Sequence, residues 1–190
     1  MKTLARCTVA ALVLAAATAF VPAASAQAAP MEDKPGQPLA SPAAMAAVTI
    51  GGKALVIHYN APSIRGRKIM GGLVPYGQVW RTGANPATSF VTAADLRIGK
   101  LTVPAGNYTL YTLPAAPGTP WLLILNKQTG QWGTVYKPEM DLGRSPMQSV
   151  KLPSPQEVMS ISFERTLADS TELHVKWENT DEWVKIQTVK

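Results

Sequence analysis

Sixteen prolines and fourteen glycines fall between short apolar runs of this 190-residue chain, and that punctuation limits the fold more than any other feature. Both residues interrupt helices, and proline also withholds a backbone donor. No window carries a sustained i, i+3, i+4, i+7 pattern. Residues 46–50 and 53–59 flank Gly51-Gly52 and read as a hairpin. Residues 88–92 and 108–113 read as strands, and 95–103 as a hairpin around Gly99-Lys100. The continuous apolar run Trp121 to Leu125 suits a strand buried on both faces. Residues 158–163 and 181–189 are further strands. Leu173, Val175 and Trp177 alternate with Glu172, His174, Lys176 and Glu178, so one face is assigned to the core and the other to water. Single helical turns fit only 138–142 and 154–158. The expectation is an all-β, antiparallel β-sandwich of about eight or nine strands with one long ordered loop and little helix.

The N-terminus reads as a secretory signal peptide. Lys2 and Arg6 precede an apolar run of thirteen residues, Val9 to Val21, too short to span a bilayer. Ala24-Ser25-Ala26 then supplies small residues for cleavage before Gln27. Residues 1–26 are thus assigned as signal peptide, 27–44 as a flexible leader, and 45–190 as a single sandwich domain. The expected destination is the periplasm or the exterior. Cys7 precedes the apolar run, so neither a lipid anchor nor a disulfide is expected. No later segment is apolar enough to be transmembrane.

Charge is segregated. From Lys34 to Pro138 there are ten basic residues and one acid, Asp95; from Glu139 to Lys190 there are nine acids and six bases. A positive face attracts anionic small molecules or a cell-envelope component. The bases are scattered and carry no nucleic-acid motif, so nucleic acid is not an expected partner.

The segment from Arg65 to Phe90 is the candidate functional region. It holds four basic residues, five glycines, Tyr76 and Trp80, and no acid. Ile69, Met70, Leu73, Val74, Val79 and Trp80 give it the apolar anchors that disordered segments lack. Arg81 is the first candidate for ligand contact, because a guanidinium holds a carboxylate or phosphate through two parallel hydrogen bonds. Arg65 and Arg67 flank Gly66 and offer a second anion seat. Tyr76 and Trp80 are candidate platforms, whereas Trp121 and Trp177 are assigned to the core. Asn85 either caps the loop or orients a ligand.

Several phrases resemble a bacterial family, domain of unknown function 2911. They are residues 59–69 (YNAPSIRGRKI), 71–85 (GGLVPYGQVWRTGAN) and 103–113 (VPAGNYTLYTL), then Asn126-Lys127, Trp132-Gly133 and Trp177-Glu178-Asn179. The resemblance implies a secreted or periplasmic β-rich protein and carries no catalytic role. The family pattern usually places an acid after the Asn, where this chain has Pro86.

Catalytic signatures are sparse. His58 and His174 sit on the polar or half-exposed phase of their strands, without a partner at metal-ligand spacing, so no metal is expected. No nucleophile elbow, P-loop or dinucleotide fingerprint is present, and no cofactor is expected. Glu164, Glu178 and Asp181 are placed near strand ends, in water. Three readings stay open: an anion-binding protein, an envelope hydrolase or isomerase built on the same loop, and a structural module that the loop braces.

Overall fold

The computed structural model describes residues 40–189. The expected signal peptide, residues 1–26, and residues 27–39 of the expected leader lie outside the described residues. Ten strands are present among them: β1 (Ala43–Ile50), β2 (Lys53–Asn60), β3 (Ser89–Thr92), β4 (Leu96–Ile98), β5 (Leu101–Val103), β6 (Gly106–Leu113), β7 (Leu122–Asn126), β8 (Asp141–Pro146), β9 (Gln148–Glu164) and β10 (Ser170–Thr188). A 3-10 turn at Pro138–Met140 is the one helical element among them. Residues 154–158, which suited a helical turn, are instead part of β9. No helix among the described residues is long and apolar enough to cross a membrane.

All strands pair antiparallel, in a six-stranded sheet ordered β1-β2-β3-β6-β7-β8 and a four-stranded sheet ordered β5-β4-β10-β9. The sandwich core lies between them. Leu55 and Ile57 of β2, Phe90 of β3, Leu110 of β6 and Leu123 and Leu125 of β7 meet Ile98, Ile161, Leu173, Val175 and Ile186. Each such side chain contributes roughly 1.5–3 kcal/mol on burial. The β1–β2 turn places Gly51 at φ +58° and Gly52 at φ +71°, the left-handed pair a two-residue hairpin requires. β1 begins at Ala43, so the sheet takes in two residues that composition assigns to the leader.

β7 is buried on both faces, as its unbroken apolar run requires. Leu123 and Leu125 enter the core. Ile124 points the other way and is also fully buried. On that outer side the Tyr111 hydroxyl donates to Val135 O at 2.9 Å, and Asn126 Nδ2 donates to Lys137 O at 2.8 Å.

β10 is one bent strand where two were expected. His174 Nδ1 lies 2.8 Å from Asp181 Oδ1. Seven residues of straight strand would separate their Cα atoms by about 23 Å. The bend falls where the β9 pairing is irregular: β9 takes nine steps, Ser160 to Lys151, while β10 takes four, Lys176 to Thr180. Pro153 and Pro155 lie in the excess length and cannot donate to the ladder. Glu178, at φ +54°, sits within the bend. Leu173, Val175 and Trp177 enter the core before it, Val184 and Ile186 after it. The inward phase therefore changes from odd to even numbers, and this turns Glu182 to the inner side while Asp181 faces His174.

The connection from β2 to β3, residues 61–88, is ordered along its length. Bridges join Ser63 to Val158, Trp80 to Thr112 and Pro86 to Trp132. Ile69 and Val74 are fully buried. The Glu178 carboxylate accepts the backbone N–H groups of Ile69 and Met70 at 3.3 and 3.2 Å, which ties the connection to the β10 bend.

Candidate functional site

The six residues singled out in the sequence separate into distinct surroundings. Arg65 Nη2 donates to Ala40 O at 2.7 Å, and its backbone N–H donates to Glu157 Oε1 at 2.9 Å. Arg67 folds onto its own turn, with Nε donating to Ile64 O at 3.0 Å and Nη2 to Ser63 O at 2.6 Å. Both guanidinium groups thus brace backbone carbonyls. Asn85, at φ +58°, directs Nδ2 toward Ser41 O at 3.5 Å, and its carbonyl accepts Gly133 N–H at 3.1 Å.

Trp80 and Arg81 are consecutive in an extended segment, so their side chains leave on opposite sides. Trp80 exchanges backbone hydrogen bonds with Thr112 at 2.8 and 2.9 Å. Its ring stacks on Trp177 with centroids 5.8 Å apart and meets Trp121 edge-on at 6.4 Å. Arg81 lies against Gly133, where an added Cβ would stand 2.1 Å from Arg81 Cδ and 2.7 Å from Asn85 O. Burial pushes the Arg81 guanidinium below its ordinary value. Its Nε is buried without a hydrogen-bond partner, and no carboxylate pairs with it among the described residues.

Tyr76 belongs to a different place. It lines a cleft of about 250 Å³ together with Trp121, Lys151, Asn179, Thr180 and Glu182. Glu182 was not among the sequence candidates. It is only 1% exposed. Its Oε1 accepts the Ser149 hydroxyl at 2.7 Å, and its Oε2 has no partner. Burial foremost, then the neighbouring Asp181 charge, pushes this carboxyl up to about 7 against the Ser149 hydrogen bond. Adjacent residues of a strand face opposite sides, so the Asp181-Glu182 pair signals that one acid of the two turns inward, but not which.

That carboxyl predicts a pH dependence with a definite sign. Unfolded, it titrates near 4.5; folded, near 7. Between those values the folded state holds the extra proton, so its contribution to stability is complete below pH 4.5 and is lost as pH rises through 7. The slope in that window is at most about 1.4 kcal/mol per pH unit. Denaturant titrations of wild type and Glu182→Gln across the window check it. The variant is expected to remove that component of the slope, and identical profiles would refute the assignment.

His174 also departs from its expected place. It is 5% exposed rather than on a wet face. Asp181 holds Nδ1, Glu172 Oε2 lies 3.4 Å from Nε2, and Trp183 stacks on the ring at 5.9 Å. Lys176 pairs with Glu164 and lies 3.8 Å from Asp181 Oδ2. Asp181 and Glu178 are therefore mid-strand residues with fixed partners, not solvated strand ends. The β10 bend is responsible for both.

The class is an all-β antiparallel sandwich whose long connection between the paired strands β2 and β3 carries a half-buried guanidinium with no carboxylate partner among the described residues. The chain belongs to the family described as protein of unknown function (DUF2911), which matches residues 41–186. No curated protein and no solved structure matches the chain.

Proposed function

We propose that this is an exported protein that binds an anionic small molecule or a cell-envelope component, with Arg81 as the cation that meets the anion. The observation carrying the reading is the half-buried guanidinium that lacks a carboxylate and leaves Nε unsatisfied. Burying an unpaired charge costs several kcal/mol, and an incoming carboxylate or phosphate offsets that cost through paired hydrogen bonds. Arg65 and Arg67, committed to backbone carbonyls, act as braces that hold the connection in shape. The excess of bases between Lys34 and Pro138 adds long-range attraction. Export is supported by the signal-peptide pattern at residues 1–26, and the mature protein is expected to begin at Gln27 by intact mass.

Thermal-shift and calorimetric titrations with phosphate, citrate and a uronic acid test the reading. At least one anion is expected to stabilise the wild type. Arg81→Gln is expected to weaken that anion by about tenfold or more, the size of a charge-assisted hydrogen bond. Gly133→Ala, which puts a methyl where Arg81 Cδ lies, is expected to do the same. Without ligand, Arg81→Gln should melt no lower than wild type, because it removes an uncompensated buried charge. A lower melting temperature combined with no anion response in the wild type would identify Arg81 as a brace instead.

A further inference from the structure

The cleft around Glu182 is independent of the Arg81 reading. Its polar half is built from β9 and β10, where Glu182 pairs with Ser149 and Thr180 with Lys151. Tyr76 from the long connection and Trp121 just before β7 complete it. A carboxyl that is 1% exposed, with one oxygen held by Ser149 and the other unpartnered, lines this cleft. A buried carboxyl oxygen without a donor is costly, and a ligand N–H or O–H would satisfy it.

The other half is apolar. Ala115, Ala116 and Thr119 line both the cleft and an adjoining trough of about 550 Å³. Leu113, Pro114, Pro120, Leu122 and Pro146 continue the trough. Apolar surface of this kind takes hydrocarbon favourably, and a few convergent polar groups fix its orientation.

We infer that this cleft and trough bind an amphipathic small molecule whose head donates a hydrogen bond, as an amine or hydroxyl, to Glu182 and whose aliphatic chain lies along the trough. Tyr76 and Asn179 flank the head, and the exposed Lys151 stands at the rim. The charged and titratable groups around Glu182 are Asp181 beside it on β10, with its partners His174 and Lys176, then Lys151 on β9 and Tyr76 on the connection.

The test uses n-octylamine, 1-octanol and octanoate as probes, titrated calorimetrically into the mature protein and into Glu182→Gln. Octylamine or octanol is expected to bind more tightly than octanoate. Glu182→Gln is expected to weaken octylamine by about tenfold, the size of one charge-assisted hydrogen bond, while leaving the fold intact by far-ultraviolet circular dichroism. Leu122→Glu, at the trough and away from Glu182, is expected to weaken both donor-headed probes and provides a second variant if Glu182→Gln misfolds. Failure of all three probes to bind would overturn the inference. So would octanoate binding as tightly as the donor-headed probes, or octylamine binding indifferent to both substitutions. Neither variant touches Arg81, so the anion response of the wild type succeeds or fails separately.

Discussion

Trp177→Ala is expected to cost about 3–5 kcal/mol of stability. Trp177 is 1% exposed and stacks on Trp80, which meets Trp121 edge-on. Its Nε1–H donates to Glu157 O at 3.2 Å, in the stretch of β9 opposite the bend. The indole therefore joins three things: the core, the irregular part of the four-stranded sheet, and the long connection that carries Trp80. Truncation opens a cavity and removes one of the two hydrogen bonds to Glu157 O, the other coming from Ile64 N–H at 2.9 Å; it also removes the Trp80 stack, a contact worth about 0.5–1.5 kcal/mol. Trp177→Phe keeps a ring in the stack and is expected to lose substantially less. Urea or guanidinium unfolding measures both. A loss under about 1 kcal/mol for the alanine variant would show that the three-indole arrangement is not a structural centre.

Asp181→Ala is expected to destabilise by about 3–5 kcal/mol, the cost of breaking a buried pair from one side. The two Asp181 oxygens lie 2.8 and 3.0 Å from His174 Nδ1, and Oδ2 lies 3.8 Å from Lys176 Nζ. Without them the imidazole is left under Trp183 with only Glu172 at 3.4 Å and Glu164 at 3.9 Å beside its other nitrogen. Because the contact closes the β10 bend, the damage should spread along the strand. Amide hydrogen exchange over residues 174–182 is expected to accelerate. In a double-mutant cycle with His174→Ala, the paired loss should fall short of the sum by about 1–3 kcal/mol. Additive losses would mean that the two side chains do not support one another.

Those two results bear on the parts of the molecule that were hardest to read. Most of the fold was legible. The Gly51-Gly52 hairpin, the doubly buried β7 and the alternation of β10 before its bend all follow from local pattern. The order of the long connection was legible too, because the apolar residues that argued against disorder include Ile69 and Val74, both now buried. β8 was not read, since Asp141–Pro146 has neither alternation nor β-favouring composition and is held by pairing with β7. Within the candidate site, the type of Arg65, Arg67 and Arg81 could be read, but not which would find carbonyls and which would be left unpaired. Glu182 was missed because the alternation of 172–178, carried forward, puts it on the wet face.

By itself the sequence determined the β class, the turns and the ordered cationic connection, because each depends on neighbours a few residues apart. The tertiary structure alone decided the bend of β10, the His174–Asp181 contact, the inward turn of Glu182 and the isolation of the Arg81 guanidinium. The physical reason is that strand phase survives only as long as pairing is regular. The excess residues of β9 opposite Lys176–Thr180 reset it, and that mismatch exists only once two strands far apart in the chain are laid side by side.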